Sequence, residues 1–272
     1  MKWLSAGRTN LGDPNDDVFN HARVNEIMST SYAAAARKNI SDDTTYPTAH
    51  YNPSYANSGS KGTSHISVLD KAGNAVAFTT SINLDFGNLM HDTHTGIILN
   101  SEMDDFAIPG RPNSEGLYPS IYNFAKPLKR PLSSCVPTMT LELDGQPGMI
   151  VGASGGSQIL TGVFESIVKY YRWGFDARDV VRSPRIHHQL IPDVAYVENQ
   201  ISTRIVEGLR RRHHDVKVIE PMKSAVGAIT RTVDGKIHAV ADWWRKGGVS
   251  DWAPSHSSCS RGCRHVWWLQ LT

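Results

Sequence analysis

At 272 residues the chain can bury a substantial core, as one large domain or two small ones. Hydrophobic residues make up 40% and charged residues 20%, and a formal net charge of +2 is too small to point to nucleic acid or an anionic membrane as partner. Three cysteines (Cys135, Cys259, Cys263) are too few for a disulfide framework, no apolar run reaches membrane-spanning length, and Met1-Lys2-Trp3-Leu4 does not read as a signal peptide.

Residues 16–38 read as a helix, because Val24, Ile27, Met28 and Ala35 recur on one face and no proline interrupts them. From 40 to 62 the composition shifts to Asp, Thr, Pro, Tyr, Asn, Ser and Gly, that of an exposed linker, closing on Ser58-Gly59-Ser60-Lys61-Gly62. Residues 65–69 and 75–82 flank the turn Asp70-Lys71-Ala72-Gly73-Asn74 and predict a hairpin, so Thr63 stands where linker meets strand. The stretch 84–135 is rich in Gly, Pro, Asn and Asp, with one short strand expected near 96–99; such a length of loop is functional or poorly ordered. A second hairpin, 139–143 with 148–151, turns at Asp144-Gly145. Gly155-Gly156-Ser157 then opens a helix with the stripe Ile159, Val163, Ile167 and Tyr170, Ser157 being the expected N-cap. A helix follows near 176–182. Residues 194–242 alternate strand, helix (202–212), strand, strand, the last two around Asp234-Gly235. Hairpins with segregated helices predict an α+β layered sandwich.

Several constellations can carry chemistry. A threonine hydroxyl needs a base, and Thr63 obtains one in its own α-amine if the bond after Gly62 is cut. A flexible glycine before the threonine permits the strained geometry of that cut, although an ordinary strand start has the same pattern. His65, two residues on, shares a strand face with Thr63 and is a second candidate base, ranked below the amine; a surface or packed histidine is the plainer reading. Gly155 and Gly156, before a helix, offer bare amides to negative charge, suiting an oxyanion hole or a phosphate; there is no Gly-Lys-Ser/Thr of a P-loop, and a tight turn would look the same. Ser133 and Ser134, fixed between Pro131 and Pro137, suit a carboxylate or make a rigid turn. Asp104-Asp105 can bind an ammonium group or stay solvated. His256, Cys259, Cys263 and His265 have a zinc-like composition but a spacing too compressed for a usual site, so no metal is expected. The basic run Arg210-Arg211-Arg212-His213-His214 reads as a solvated helix end.

Taken together, six ordered segments resemble γ-glutamyltransferases, members of the N-terminal-nucleophile hydrolases. They are Arg8-Thr9-Asn10-Leu11-Gly12-Asp13-Pro14, Ile40-Ser41-Asp42-Asp43-Thr44-Thr45, Gly62-Thr63-Ser64-His65-Ile66-Ser67-Val68, Glu102-Met103-Asp104-Asp105-Phe106, Pro131-Leu132-Ser133-Ser134 and Gly155-Gly156-Ser157-Gln158-Ile159. The resemblance implies a precursor that cuts itself before Thr63. Residues 1–62 would be the end of the large subunit with its linker, and 63–248 the small catalytic subunit. The composition of 249–272 fits no segment of the family. The implied fold is the four-layer α/β/β/α sandwich, incomplete here because most of the large subunit, with an arginine that pairs with the substrate carboxylate, is missing. The implied reaction moves the γ-glutamyl group of glutathione or its conjugates through a Thr63 acyl-enzyme to water or to an acceptor amino acid or dipeptide, with no cofactor. By resemblance Gly155 and Gly156 form the oxyanion hole, and Ser81 takes the place of a threonine that bonds the nucleophile. Asp105, helped by Asn83 and Glu102, would bind the α-ammonium, and Ser133 and Ser134 the α-carboxylate. Family members are commonly anchored at a cell surface or organelle membrane, or secreted. The rival expectations are an inactive truncated fragment and a related self-processing amidase of the cephalosporin-acylase kind.

Overall fold

The computed structural model describes residues 1–56, 62–114, 116–222, 224–246, 248–253 and 265–270, the strands at 251–253 and 265–270 as backbone only. It divides into two compact units, each assembled from three stretches of chain.

The first unit takes residues 1–60, 101–133 and 186–220. It holds helices α1 (Lys2–Arg8), α2 (His21–Ile27), α3 (Thr30–Lys38) and α6 (Thr203–Arg211), and a sheet of β5 (Ile186–His187), β6 (Ala195–Glu198) and β7 (Val216–Ile219), elements being numbered along the whole chain. β6 and β7 run parallel, joined through α6, and β5 is antiparallel to β6. Instead of the single helix expected over 16–38 there are two. Asn20 caps α2 by accepting from Arg23 N (2.9 Å), and Ser29 caps α3 by accepting from Tyr32 N (3.1 Å). A serine hydroxyl that satisfies a backbone amide starts a new helix in mid-stretch, and neither helix buries a residue. The basic run after α6 is more than solvated. The Arg212 guanidinium donates to Asp42 O, Thr45 N donates to Arg212 O (2.8 Å), and His213 Nδ1 bonds Thr44 Oγ1 (3.1 Å). The motif at 40–45 is therefore pinned to the end of α6.

The second unit takes residues 61–100, 134–185 and 221–272. Two antiparallel sheets face each other. One has the order β10-β11-β1-β2, from β1 (Gly62–Leu69), β2 (Ala75–Asn83), β10 (Val249–Ala253) and β11 (His265–Gln270). The other has the order β3-β4-β8-β9, from β3 (Thr138–Leu141), β4 (Pro147–Ser154), β8 (Ala225–Arg231) and β9 (Ile237–Ala241). Helices α4 (Gln158–Tyr171) and α5 (Ala177–Arg182) cover the far side of the second sheet, and α7 (Trp243–Lys246) follows β9. β4 is buried along its whole length because it lies between two layers. Met149, Val151 and Ala153 face Ile159 and Val163 of α4 and Val180 and Val181 of α5. Ile150 points the other way, onto Leu69 and Ile229 between the sheets. The period of two thus serves two cores from one strand.

The unit builds three layers, α/β/β, of the expected four. On β2 the small residues Ala75, Ala77, Thr79 and Ser81 face inward, while Val76 (51% exposed), Phe78 (54%) and Ile82 (38%) face outward. No helix layer covers that outer face among the described residues. The strands β10 and β11 arise within 249–272, and β11 pairs with β1 from His65↔Gln270 to Leu69↔Val266. The strand expected near 96–99 is reduced to an isolated bridge, His91↔Ile98. Of the linker, residues 57–61 lie outside the described residues, as do His256, Cys259, Cys263 and the side chain of His265.

Candidate active site

Thr63 sits at a β-bulge. Gly62 pairs with Asn83 and Ser64 with Thr80, so Ser81 and Ile82 together oppose Thr63. Bulges re-aim side chains and end regular pairing. Thr63 is 2% exposed, and its Oγ1 has no hydrogen-bond partner among the described residues. A buried hydroxyl left unpaired is costly and marks a site with another use. The Ser81 hydroxyl, one strand over, donates to the carbonyl of Gly62 and accepts from Asn83 N (2.9 Å). Its proton therefore rests on the carbonyl just before Thr63. Gly62 must be glycine, since a Cβ there would come 2.5 Å from Asn83 O. Asn83 is fully buried at φ +67°, a left-handed conformation that asparagine tolerates.

His65 shares the inward face of β1 with Thr63, as strand periodicity predicts. Its ring is occupied elsewhere. Nδ1 bonds Thr79 Oγ1 (2.8 Å) and Nε2 bonds Ser67 Oγ (2.9 Å), and burial pushes its pKa down to about 4. It is a neutral, packed histidine.

Gly155 (φ +115°) and Gly156 (φ +62°) make the turn from β4 into α4. Ser157 is the N-cap residue of α4 as expected, but it has helical angles (φ −61°, ψ −21°) and its side chain makes no cap bond. Two glycines at positive φ make the turn without it. The first helical bonds run from Gln158 N to Gly155 O (3.3 Å) and Ile159 N to Gly156 O (3.0 Å), so the two glycine amides precede the helix's own ladder. A Cβ on residue 155 would lie 2.5 Å from Ser224 Cα. Ser224 is clamped in turn, its N donating to Gln158 Oε1 (3.1 Å) and its O accepting from Arg185 Nη1 (2.8 Å). Arg185, 1% exposed, also bonds Asp242 Oδ2 (2.7 Å), which Arg245 contacts at 3.0 Å. Ser134, the next predicted residue of this unit, is 4% exposed.

In the first unit the acidic pair separates. Within the 3-10 turn Glu102–Asp105, Asp104 is exposed and Asp105 is 2% exposed; Glu102 is half-buried. Asn123 Nδ2 donates to Asp105 O (2.8 Å), and Asn123 Oδ1 accepts from Leu132 N (2.8 Å), next to the exposed Ser133. Arg8, at the end of α1, donates from Nη2 to Ser133 O (3.3 Å). Burial pulls its pKa below the ordinary arginine value and the Asp105 carboxylate pulls it back. A Cβ on Gly12 would come 2.4 Å from Tyr122 O. Asp13 accepts from Arg130 N (2.8 Å) and Arg130 Nη2 (2.7 Å), which holds its carboxyl well below the usual range. The whole motif at 8–14 therefore braces the segment 122–133.

The γ-glutamyltranspeptidase family profile matches residues 1–252. The chain belongs to this family. Among curated γ-glutamyltranspeptidase relatives, glutathione hydrolase proenzyme 1 of Schizosaccharomyces pombe is 44% identical over 246 residues, covering 89% of this chain and 38% of that protein. Proenzyme 2 of the same yeast is 43% identical, covering 85% and 38%. The putative inactive glutathione hydrolase 4 of Arabidopsis thaliana is 42% identical over 70% of this chain and all of its own length. The chain thus spans less than half the length of the proenzymes. A solved acivicin-inhibited γ-glutamyltranspeptidase aligns with a TM-score of 0.59 at 33% identity, over 66% of this chain and 97% of that one. The fold is accordingly that of the N-terminal-nucleophile hydrolases.

Sequence reasoning gave Arg8 no role of its own, although the arginine opens one of the six γ-glutamyltranspeptidase segments. Asn123 had no signal at all: nothing around Tyr122-Asn123-Phe124 distinguishes a buried amide hub from a polar loop residue. The Arg185–Asp242–Arg245 network was equally silent, because Arg185 lies 57 residues before Asp242.

Proposed function

We propose that this chain is the self-processing catalytic part of a glutathione hydrolase, with Thr63 as nucleophile. The unpartnered, buried Thr63 hydroxyl beside a Gly62 carbonyl that receives the Ser81 proton is the observation that carries the reading. In the uncut chain Thr63 Oγ attacks the Gly62 carbonyl carbon, the Gly62–Thr63 C–N bond breaks, and the freed amine takes the proton. Ser81 stabilises the charge that develops on the carbonyl oxygen. Water then hydrolyses the ester, leaving a Gly62 carboxylate and a Thr63 that carries both hydroxyl and α-amine.

The mature Thr63 can then act on an amide. Its amine accepts the hydroxyl proton as Oγ attacks the γ-carbonyl of a γ-glutamyl compound such as glutathione, and the leaving amine departs protonated. The Gly155 and Gly156 amides, ahead of α4, suit the oxyanion. Asp105, with Glu102 and Asn83, is read as the partner of the substrate α-ammonium, and Ser133 and Ser134 as partners of the α-carboxylate. Water or the amine of an amino acid or dipeptide releases the acyl group. Glutathione hydrolase is the name of the S. pombe relatives, which supports glutathione as donor. In this reading residues 1–62 are the end of the large subunit, 63–248 the small subunit, and 249–272 an appended tail. A remainder of the large subunit would complete the layer over the outer face of β1 and β2.

The inactive alternative rests on one observation, the Arabidopsis relative described as putatively inactive and matched over its full length. The mass of the purified chain beside a Thr63→Ala control decides between them. Cleavage after Gly62 in the first and not the second supports the proposal. An uncut chain that stays uncut when a large-subunit remainder is supplied overturns it.

A further inference from the structure

The geometry points to Asn123 as a positioning residue that sets the spacing of the amino-acid head-group subsite, an inference that rests on the reading of Asp105 and Ser133 given above. Asn123 is 1% exposed, and both ends of its amide are used. Nδ2 donates to Asp105 O and Oδ1 accepts from Leu132 N, both at 2.8 Å. Its backbone carbonyl also accepts from Ala107 N (2.8 Å), and its own N donates to Ser120 O (3.0 Å). One side chain therefore ties the turn that carries Asp105 to the residue preceding Ser133.

The chemistry of the two partners allows no other side chain of this size. Asp105 O only accepts and Leu132 N only donates, so the amide orientation is forced and cannot flip. Aspartate supplies the acceptor but no donor. Leucine has the shape and neither. Glutamine has both but is one methylene too long for a packed site. Arg8, bonded to Ser133 O, and Asp13, bonded to Arg130, hold the same loop from its other side. With those fixed, the amide fixes the distance between the Asp105 carboxylate and the Ser133 hydroxyl. That distance must match the separation of ammonium and carboxylate on an α-amino acid. Asn123 does not touch substrate; it acts through Asp105 and Ser133.

The test compares Asn123→Asp and Asn123→Leu with the unsubstituted 272-residue chain. Three readouts are taken: mass after Gly62 cleavage, kcat and KM for a γ-glutamyl anilide against the glutaryl anilide that lacks the amino group, and peptide-level hydrogen exchange over 102–107 and 130–134. Both variants should cleave like the parent. KM for the γ-glutamyl compound should rise about tenfold or more with kcat within about threefold, and the preference over the glutaryl compound should fall by a similar factor. Exchange should quicken in both segments, in the Asp variant first at 102–107, where the donor arm is lost. An unchanged KM, or a fall in kcat alone, overturns the inference. If the parent chain turns over neither anilide, the functional reading fails separately, and exchange alone decides: quickening in both segments upholds Asn123 as the tie, and unchanged exchange removes it.

Discussion

The His65 imidazole lies directly on the backbone of Gly152: a Cβ at 152 would come within 2.1 Å of the ring. β1 and β4 belong to facing sheets, so this contact sets how closely they approach. A Gly152→Ala substitution must displace a ring whose two nitrogens are both bonded. Overpacking of this kind costs about 1–3 kcal/mol and sometimes more. Urea unfolding should show the loss as a lower midpoint at constant slope, and the extent of Gly62 cleavage should fall with it because Thr63 is on the displaced strand.

Ser81 donates to the Gly62 carbonyl, so its removal should act on the rate of self-cleavage rather than on the fold. Ser81→Ala is expected to slow cleavage by about 10²–10³-fold, the usual effect of losing one donor to a developing oxyanion. Ser81→Thr keeps the hydroxyl and should cleave near the parent rate. Time courses of intact mass after expression at low temperature measure both, and equal rates for parent and Ala variant would rule out the assigned role.

The depressed pKa of His65, about 4 against an ordinary value of 6.5, has a pH signature. Above pH 6.5 the imidazole is neutral folded and unfolded, and stability is unaffected. Between 6.5 and 4 the unfolded chain binds a proton that the native chain does not, so stability falls as pH falls. The full effect, reached below pH 4, is about 3 kcal/mol on the scale of 1.36 kcal/mol per pKa unit. His188 in the first unit, lowered to about 3 chiefly by burial, contributes in the same direction. A His65→Gln chain should start less stable yet lose less stability from pH 6.5 to 4, as followed by denaturant midpoints across that range.

Asp242 stands between two buried guanidiniums, Arg185 Nη2 at 2.7 Å and Arg245 Nη1 at 3.0 Å. Asp242→Ala removes the carboxylate that both face. The expected loss is about 3–5 kcal/mol, characteristic of an uncompensated buried charge. Because Arg185 also holds Ser224 against Gly155, calorimetry and cleavage should decline together. A variant with unaltered thermal stability would show that the charges find other compensation.

The sequence was most legible where backbone geometry alone decides the outcome. The hairpin at 65–82 follows from alternation and from Asp70, whose carboxylate takes the amides of Ala72 and Asn74 at 2.8 Å each. The Gly155-Gly156 turn follows from two residues able to adopt positive φ. Identity by itself said less. Asp104 and Asp105 are the same residue in adjacent positions, yet only Asp105 is buried, because a 3-10 turn sends neighbours to different sides. Apolar spacing over 16–38 suggested one helix, and Ser29 divided it. Long-range ties such as Asn123 to Asp105 and Arg185 to Asp242 exist only once the chain has folded, and no local pattern announces them.

The pairing around Gly62 and Thr63 would give the proposed cut a direction. On the Thr63 side, β1 is laddered to β2 from Ser64↔Thr80 to Leu69↔Ala75, and to β11 from His65↔Gln270 onward. On the other side, Gly62↔Asn83 is the one register pair among the described residues, and the Ser81 hydroxyl donates to the Gly62 carbonyl. Severing the bond there would leave the new amine on a strand laddered along both edges, while residues 1–56 would stay tied to 122–133 and to the end of α6. The laddered strand would keep the new amine in place, and the new carboxylate at Gly62 would have to give up its Ser81 and Asn83 contacts to move away. Its displacement would clear the space before Thr63, so in the proposed reaction the peptide bond that occupies the site would work as a removable plug.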